Sequence, residues 1–169
     1  MKLTDLLPLE KWKEFEKEIT RRSGLDANIF GTDGVRTTDY KNWANRLCPA
    51  IKATDKGQSY ICAVAHMNLA TQAKQTRTSL IEECDAGLVI IIVPVFAKDE
   101  FLGAVGACGM LLDGGEVDAF LVNMTTGIDE KEIERLASDI GAISIENARS
   151  IVAYVEGKLG KIVREFENN

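Results

Sequence analysis

Cys48, Cys62, His66 and Cys84 are the residues whose types and order point to metal or covalent chemistry. Cys62 and the chain's one histidine, His66, are four apart on a predicted helix, so both side chains lie on one face. Cys48 opens a short helix and Cys84 precedes a strongly apolar strand. If the two helices cover the mouth of a sheet, all four groups converge. Three thiolates and an imidazole suit tetrahedral zinc or an iron–sulfur cluster, and a cysteine or histidine also ligates haem iron. The expected metal set is therefore Cys48, Cys62, His66 and Cys84. Paired cysteines two to four apart, the usual mark of structural zinc, are missing, so the competing reading is a group of small buried apolar thiols. Cys108, between glycines inside a strand, reads as core.

The same residues make a poor catalytic set. Cys62 and His66 would serve as nucleophile and base, but nothing marks an oxyanion hole or a third, orienting group. Gly103, Gly106 and Gly109 lie where a strand continues, not where a helix opens, so they are not a dinucleotide fingerprint. A P-loop is absent, and Asp113 to Asp118 lack the calcium-loop pattern. The acids Asp129, Glu130, Glu132 and Glu134 read as a solvated helix face. No catalytic residue is assigned, and the chain is expected not to be an enzyme. A ligand pocket is the better expectation. Phe30, Trp43, Tyr60, Met67, Val95 and Phe101, with Cys48, Cys62 and Cys84, are its expected lining.

These residues need a scaffold, and the patterning supplies one. Glu83 to Gly109 holds two apolar runs around Lys98-Asp99-Glu100, which reads as a buried hairpin at the centre of a sheet. Glycines in its second strand mark close approach to the backbone. Thr4 to Arg22 reads as one helix ended by Gly24, with Leu9, Trp12, Phe15 and Ile19 on one face. A hairpin is expected around Asp33-Gly34. A short helix near Cys48 to Ala53 and another over Tyr60 to Gln75 follow, and Leu80-Ile81 returns to the sheet. Val117 to Asn123 is a strand end or a helix, and Asp129 opens another helix. In the tail, Ile145, Ala148, Val152, Val155, Leu159, Ile162 and Phe166 follow steps of three and four. That is coiled-coil spacing, and it fits packing on the domain's own sheet or a parallel dimer seam.

The chain has 169 residues, 46% of them hydrophobic and 27% charged, which suits one domain with a full core. Its net charge of −6 argues against a nucleic-acid surface or an anionic membrane. No N-terminal stretch has the layout of a signal peptide and no apolar run is long enough to span a bilayer, so a cytoplasmic location is expected. Four cysteines are too few for a disulfide-framed secreted fold.

In order and spacing, several short motifs resemble the PocR-type sensory domain. They are Trp12 and Phe15; Thr20-Arg21-Arg22-Ser23-Gly24-Leu25; Thr32-Asp33-Gly34; Asn45-Arg46-Leu47-Cys48 with Ile51; Cys62; Cys84-Asp85-Ala86-Gly87-Leu88; Val93-Pro94-Val95; and Phe101 to Gly109. A weaker continuation runs from Thr126 to Glu130. The resemblance implies a variant of the PAS/GAF-like sensory fold. Such domains are attached to histidine kinases, chemoreceptors, diguanylate cyclases and transcription regulators, and small hydrocarbon derivatives are their suggested ligands. Cys48, Cys62 and Cys84 match the family's recurring cysteines. The family often has a histidine directly after the third cysteine, where this chain has Asp85.

The expectation is thus one α/β (α+β) sensory domain over residues 1–169. It has a central antiparallel sheet flanked by helices, and residues 144–169 form a helix for signalling or homodimerisation. Its expected partners are a small-molecule ligand, a second copy and an attached output domain, as in two-component signalling. The rival readings are a metal or iron–sulfur redox sensor without an organic ligand, and a dimerisation module without a pocket.

Overall fold

The computed structural model describes residues 1–169. The chain runs α1 (Leu3–Leu6), α2 (Leu9–Ser23), β1 (Asp26–Gly31), α3 (Leu47–Lys52) and the single turn α4 (Asp55–Gly57). A π-helical segment, Gln58–Ala63, leads into α5 (Val64–Thr76). Then follow β2 (Leu80–Glu83), β3 (Val89–Ala97), β4 (Glu100–Cys108), β5 (Leu111–Leu112), α6 (Ala119–Thr126), α7 (Glu130–Ala137), β6 (Ala142–Ile143) and α8 (Ile145–Glu167). The expected α+β architecture is present: an antiparallel sheet in the order β1-β4-β3-β2, helices on both faces, and a long C-terminal helix. β5 and β6 form a separate two-stranded parallel ladder.

The central hairpin β3–β4 turns at Lys98 and Asp99, both at positive φ, which sets the mirror-image turn that hairpins favour without a glycine. Pro94 lies beyond the end of β2, whose pairing stops at Ile92, so its missing N–H costs no bond to that neighbour. Alternation sends successive side chains to opposite faces. Ala27 and Ile29 of β1, Val89, Ile91, Val93, Val95 and Ala97 of β3, and Leu102, Val105 and Ala107 of β4 meet Trp12, Phe15 and Ile19 of α2 and Ala148, Ile151, Val155, Leu159 and Ile162 of α8 in the main core. Asp26, Asn28 and Phe30, Ile90 and Ile92, and Ala104, Gly106 and Cys108 face the other way, toward α3, the π-helical segment and α5.

Some boundaries differ from expectation. The first helix breaks at Pro8, which lacks a donor and becomes the N-cap of α2, while Gly24 ends α2 in the left-handed conformation as expected. The Asp33-Gly34 turn returns only as an isolated bridge, Phe30 to Arg36. Val117 to Asn123 resolves into α6, capped by Asp118. The close approaches to the glycines of β4 come from the protein itself. A Cβ at Gly103 would lie 2.0 Å from the Phe30 carbonyl oxygen, and one at Gly106 would lie 2.3 Å from Asn28 Oδ1. Of the two packings open to the tail stripe, the structure shows the one on the domain's own sheet, with Ala148, Val155, Leu159 and Ile162 buried. A parallel dimer through that seam would have to undock α8. No helix is long and apolar enough to cross a membrane.

Candidate functional site

A cavity of about 410 Å³ separates the β1/β3/β4 face of the sheet from the π-helical segment and α5. Its floor is Phe30, Ile92, Ala104 and Phe101, its roof Cys62, Ala63, His66, Met67 and Ala70, and its rim the Thr32-Asp33-Gly34 turn. The void persists because the facing residues are small. Only Ala73 of α5 is fully buried, in contrast to the row of large side chains on α2. The π-helical stretch carries Cys62, and such stretches recur at binding sites because the wider turn re-aims side chains. A second, smaller chamber of about 30 Å³ adjoins the cavity, and Lys52, Cys62 and His66 line both. All four cysteines line this chamber, with Asp26, Trp43, Leu88 and Ile90.

The four thiols thus share one chamber, including Cys108, which the sequence placed in the core. They do not form the expected metal cage: no three histidine, cysteine or acidic side chains come together closely enough to hold a metal ion. Two of the thiols, Cys48 and Cys108, accept local hydrogen bonds instead. Asn45 Nδ2 donates to Cys48 Sγ at 3.2 Å while Asn45 Oδ1 accepts from the Cys48 amide at 2.7 Å. The Cys84 amide donates to Leu88 O, and Asn28 Nδ2 donates weakly to Cys108 Sγ at 3.7 Å. Burial pushes the Cys48 thiol up to about 12 and the Cys62 thiol up to about 11, and raises Cys84. At neutral pH these are thiols, not the thiolates that attack carbon.

His66 does not pair with the Cys62 thiol. Its Nδ1 lies 2.9 Å from the Cys62 carbonyl oxygen, which can only accept, so Nδ1 carries the proton. The ring packs against Phe30 with centroids 5.1 Å apart, and Nε2 is buried without a partner. Burial pushes its pKa down to about 4, leaving a neutral ring at pH 7.

Arg36 connects the cavity to the opposite side of the sheet. It lines the cavity, and its guanidinium donates to Ala27 O at 3.0 Å and Tyr40 O at 2.8 Å. It also lies 4.0 Å from Glu16 Oε1 of α2. Glu16 is fully buried; its Oε2 accepts from Thr38 Oγ1, and its Oε1 has no hydrogen-bond partner. Burial raises its pKa to about 7. Arg36 therefore ties the loop beside the cavity to a helix of the main core.

Among the residues expected from sequence, Phe30, Met67, Phe101, Cys62 and His66 line the cavity, and Trp43, Cys48 and Cys84 line the chamber. Tyr60 does not join them; its side chain is 61% exposed. Val95 does not either. Strand alternation turns it to the main core with Val93 and Ala97. Sequence reasoning missed Arg36, Lys52 and Lys74. The signal for Arg36 was its place two residues after the Asp33-Gly34 turn; the two lysines offered none, being ordinary polar positions on helices.

A family model described as PocR, sensory domain found in PocR, matches residues 5–165. The sheet, flanking helices and long C-terminal helix are consistent with a PAS/GAF-like sensory fold. No curated protein and no solved structure gives a significant match.

Proposed function

This chain belongs to the family of sensory domains found in PocR, and on that premise we propose that it senses a small organic molecule held in the cavity between the sheet and α5. The observation that carries the reading is the cavity itself: about 410 Å³, walled by Phe30, Ile92, Phe101 and Met67, with a few polar groups around it. We read the domain as a receptor without catalysis. The protonated thiols and the bond from His66 to a backbone carbonyl support that reading.

The relay runs through neighbouring groups. A molecule in the cavity touches Arg36, Arg36 reaches Glu16, and α2 packs on α8. There Phe15 meets Tyr154 edge-on at 6.3 Å, Arg22 lies 4.0 Å over the Tyr154 ring, and Lys158 pairs with Glu18 at 3.6 Å. A ligand that binds one Arg36–Glu16 arrangement better than another shifts the docking of α8 by that difference in affinity, and α8 passes the shift to an attached output domain. A redox sensor built on the cysteines has less support, since no three ligating groups converge.

The test is a thermal-shift screen of small alcohols, aldehydes, amides and carboxylates, repeated on Ala70→Trp, whose indole fills the cavity. A compound held in the cavity raises the wild-type melting temperature and not that of the variant. A compound library that shifts both proteins alike, or neither, rejects the cavity as the receptor site.

A further inference from the structure

The cavity reading leaves the ligand's class open, and the charges around the cavity narrow it. The chain holds 26 acidic residues against 20 Lys and Arg. The cavity lining reverses that balance, with Arg36, Lys52 and Lys74 against Asp33 alone. Lys52 and Lys74 have no carboxylate within ion-pair distance; their ammonium groups lie 5.2 Å from the Trp43 ring and 5.5 Å from the Phe101 ring. Arg36 is 16% exposed, its Nε is buried without an acceptor, and Glu16 at 4.0 Å is beyond hydrogen-bonding reach of it. Asp33 is exposed and already accepts from the Val35 amide at 3.0 Å. The buried Asp26 in the adjoining chamber accepts from the Asn42 amide at 3.2 Å; it feels the charges of Arg36 and Lys52 but lies beyond ion-pair distance of both.

Two of the cations share one end. Arg36 bridges Phe30, whose ring packs on His66, and Lys52 lines the adjoining chamber together with His66, whereas Lys74 sits over Phe101. The remaining floor, Ile92, Ala104 and Phe101, is apolar. Lys52 is partly buried without a carboxylate partner, and such a cation attracts an anion more strongly than one in open water, because fewer solvent dipoles screen it.

We propose that the cavity takes a small organic carboxylate with an apolar body, its charged end seated between Arg36 and Lys52 and its tail along Ile92, Ala104 and Phe101. The carboxylate competes with Glu16 for Arg36, which makes this ligand class the one that pulls directly on α2. The inference rests on the cavity reading, and its test separates the two.

The probes are straight-chain carboxylates from butyrate to octanoate, with benzoate and phenylacetate, each matched to its primary amide. Binding is titrated by calorimetry and by amide chemical-shift changes on wild type, Lys52→Met, Lys52→Arg and Ala70→Trp. Lys52 is used because Arg36 also holds backbone carbonyls and its loss risks the fold. At least one carboxylate should bind the wild type about tenfold more tightly than its amide. Lys52→Met should remove that margin, Lys52→Arg should keep it, and Ala70→Trp should abolish binding. Equal binding of carboxylates and amides, both blocked by Ala70→Trp, overturns the anion assignment and leaves the cavity receptor standing; so does carboxylate binding untouched by Lys52→Met. No binding by any probe overturns the anion assignment, and binding that ignores Ala70→Trp overturns both.

Discussion

Strand β3 shows two surfaces of opposite kind. On one side, Val89, Ile91, Val93 and Val95 lie under α2 and α8, packed against the large buried side chains of Trp12, Phe15, Ile19, Val155 and Leu159. On the other, Ile90 and Ile92 face α5, which offers Ala65, Leu69, Ala70 and the single fully buried Ala73. The first face has large side chains on both partners. The second has alanine, glycine and cysteine opposite a thin helix, and it stays hollow. Apolar area removed from water stabilises the fold at about 25 cal/mol per Å². The filled face therefore carries the stability, and the hollow one is left to accept a guest.

The sharpest break of this contrast is Trp12→Ala. Trp12 is wholly buried and its indole N–H donates to Leu3 O at 2.9 Å. Its loss should cost about 3–5 kcal/mol in chemical denaturation, whereas a cost below 1 kcal/mol would deny that this face is the stabilising one. The next is a matched pair. Ala148→Trp, in the filled layer of α8, should lose about 3 kcal/mol through overpacking, while Ala70→Trp, over the cavity, should lose less than about 1. Equal losses would mean that the two faces are equally packed.

Glu16 sharpens the comparison through pH. Its folded-state pKa of about 7 stands above the ordinary value of 4.5, so between those values the folded protein binds more protons than the unfolded chain. Stability from this group is complete below about pH 4.5 and lost as pH rises through 7, by at most about 3 kcal/mol. Glu16→Gln should flatten that limb of the stability-against-pH curve. His66, pushed down to about 4, acts in the opposite sense, its contribution falling as pH drops from 6.5 through 4. The smallest effect is expected at Tyr60. Being 61% exposed and outside both cavities, Tyr60→Ala should change stability by less than about 0.5 kcal/mol and leave ligand binding unmoved.

Much of the scaffold was legible along the chain. The continuous apolar runs of β3 and β4 around Lys98-Asp99, the left-handed stop at Gly24 and the three-four stripe of α8 are local signals. The candidate site was legible only in part. Cys62 and His66 share a helix face because of their spacing, and the structure keeps them on one wall. Their chemistry was not legible, since the His66 proton position depends on a carbonyl and the thiol pKa values depend on burial. Val95 shows the limit most plainly. Its type suited a pocket, but β-strand parity turned it to the other face, and a bulge at Val95/Phe96 lies immediately beside it.

What the amino-acid order alone determined is the set of elements and the apolar stripe each must bury, because hydrophobic periodicity and turn chemistry act over a few neighbouring residues. Which face was packed solid and which left hollow, whether the α8 stripe met its own sheet or a second copy, and how Arg36 came to stand between a cavity and Glu16 were decided only in three dimensions. Those outcomes depend on the summed volumes and charges of residues far apart in the chain, and no local pattern encodes such a sum.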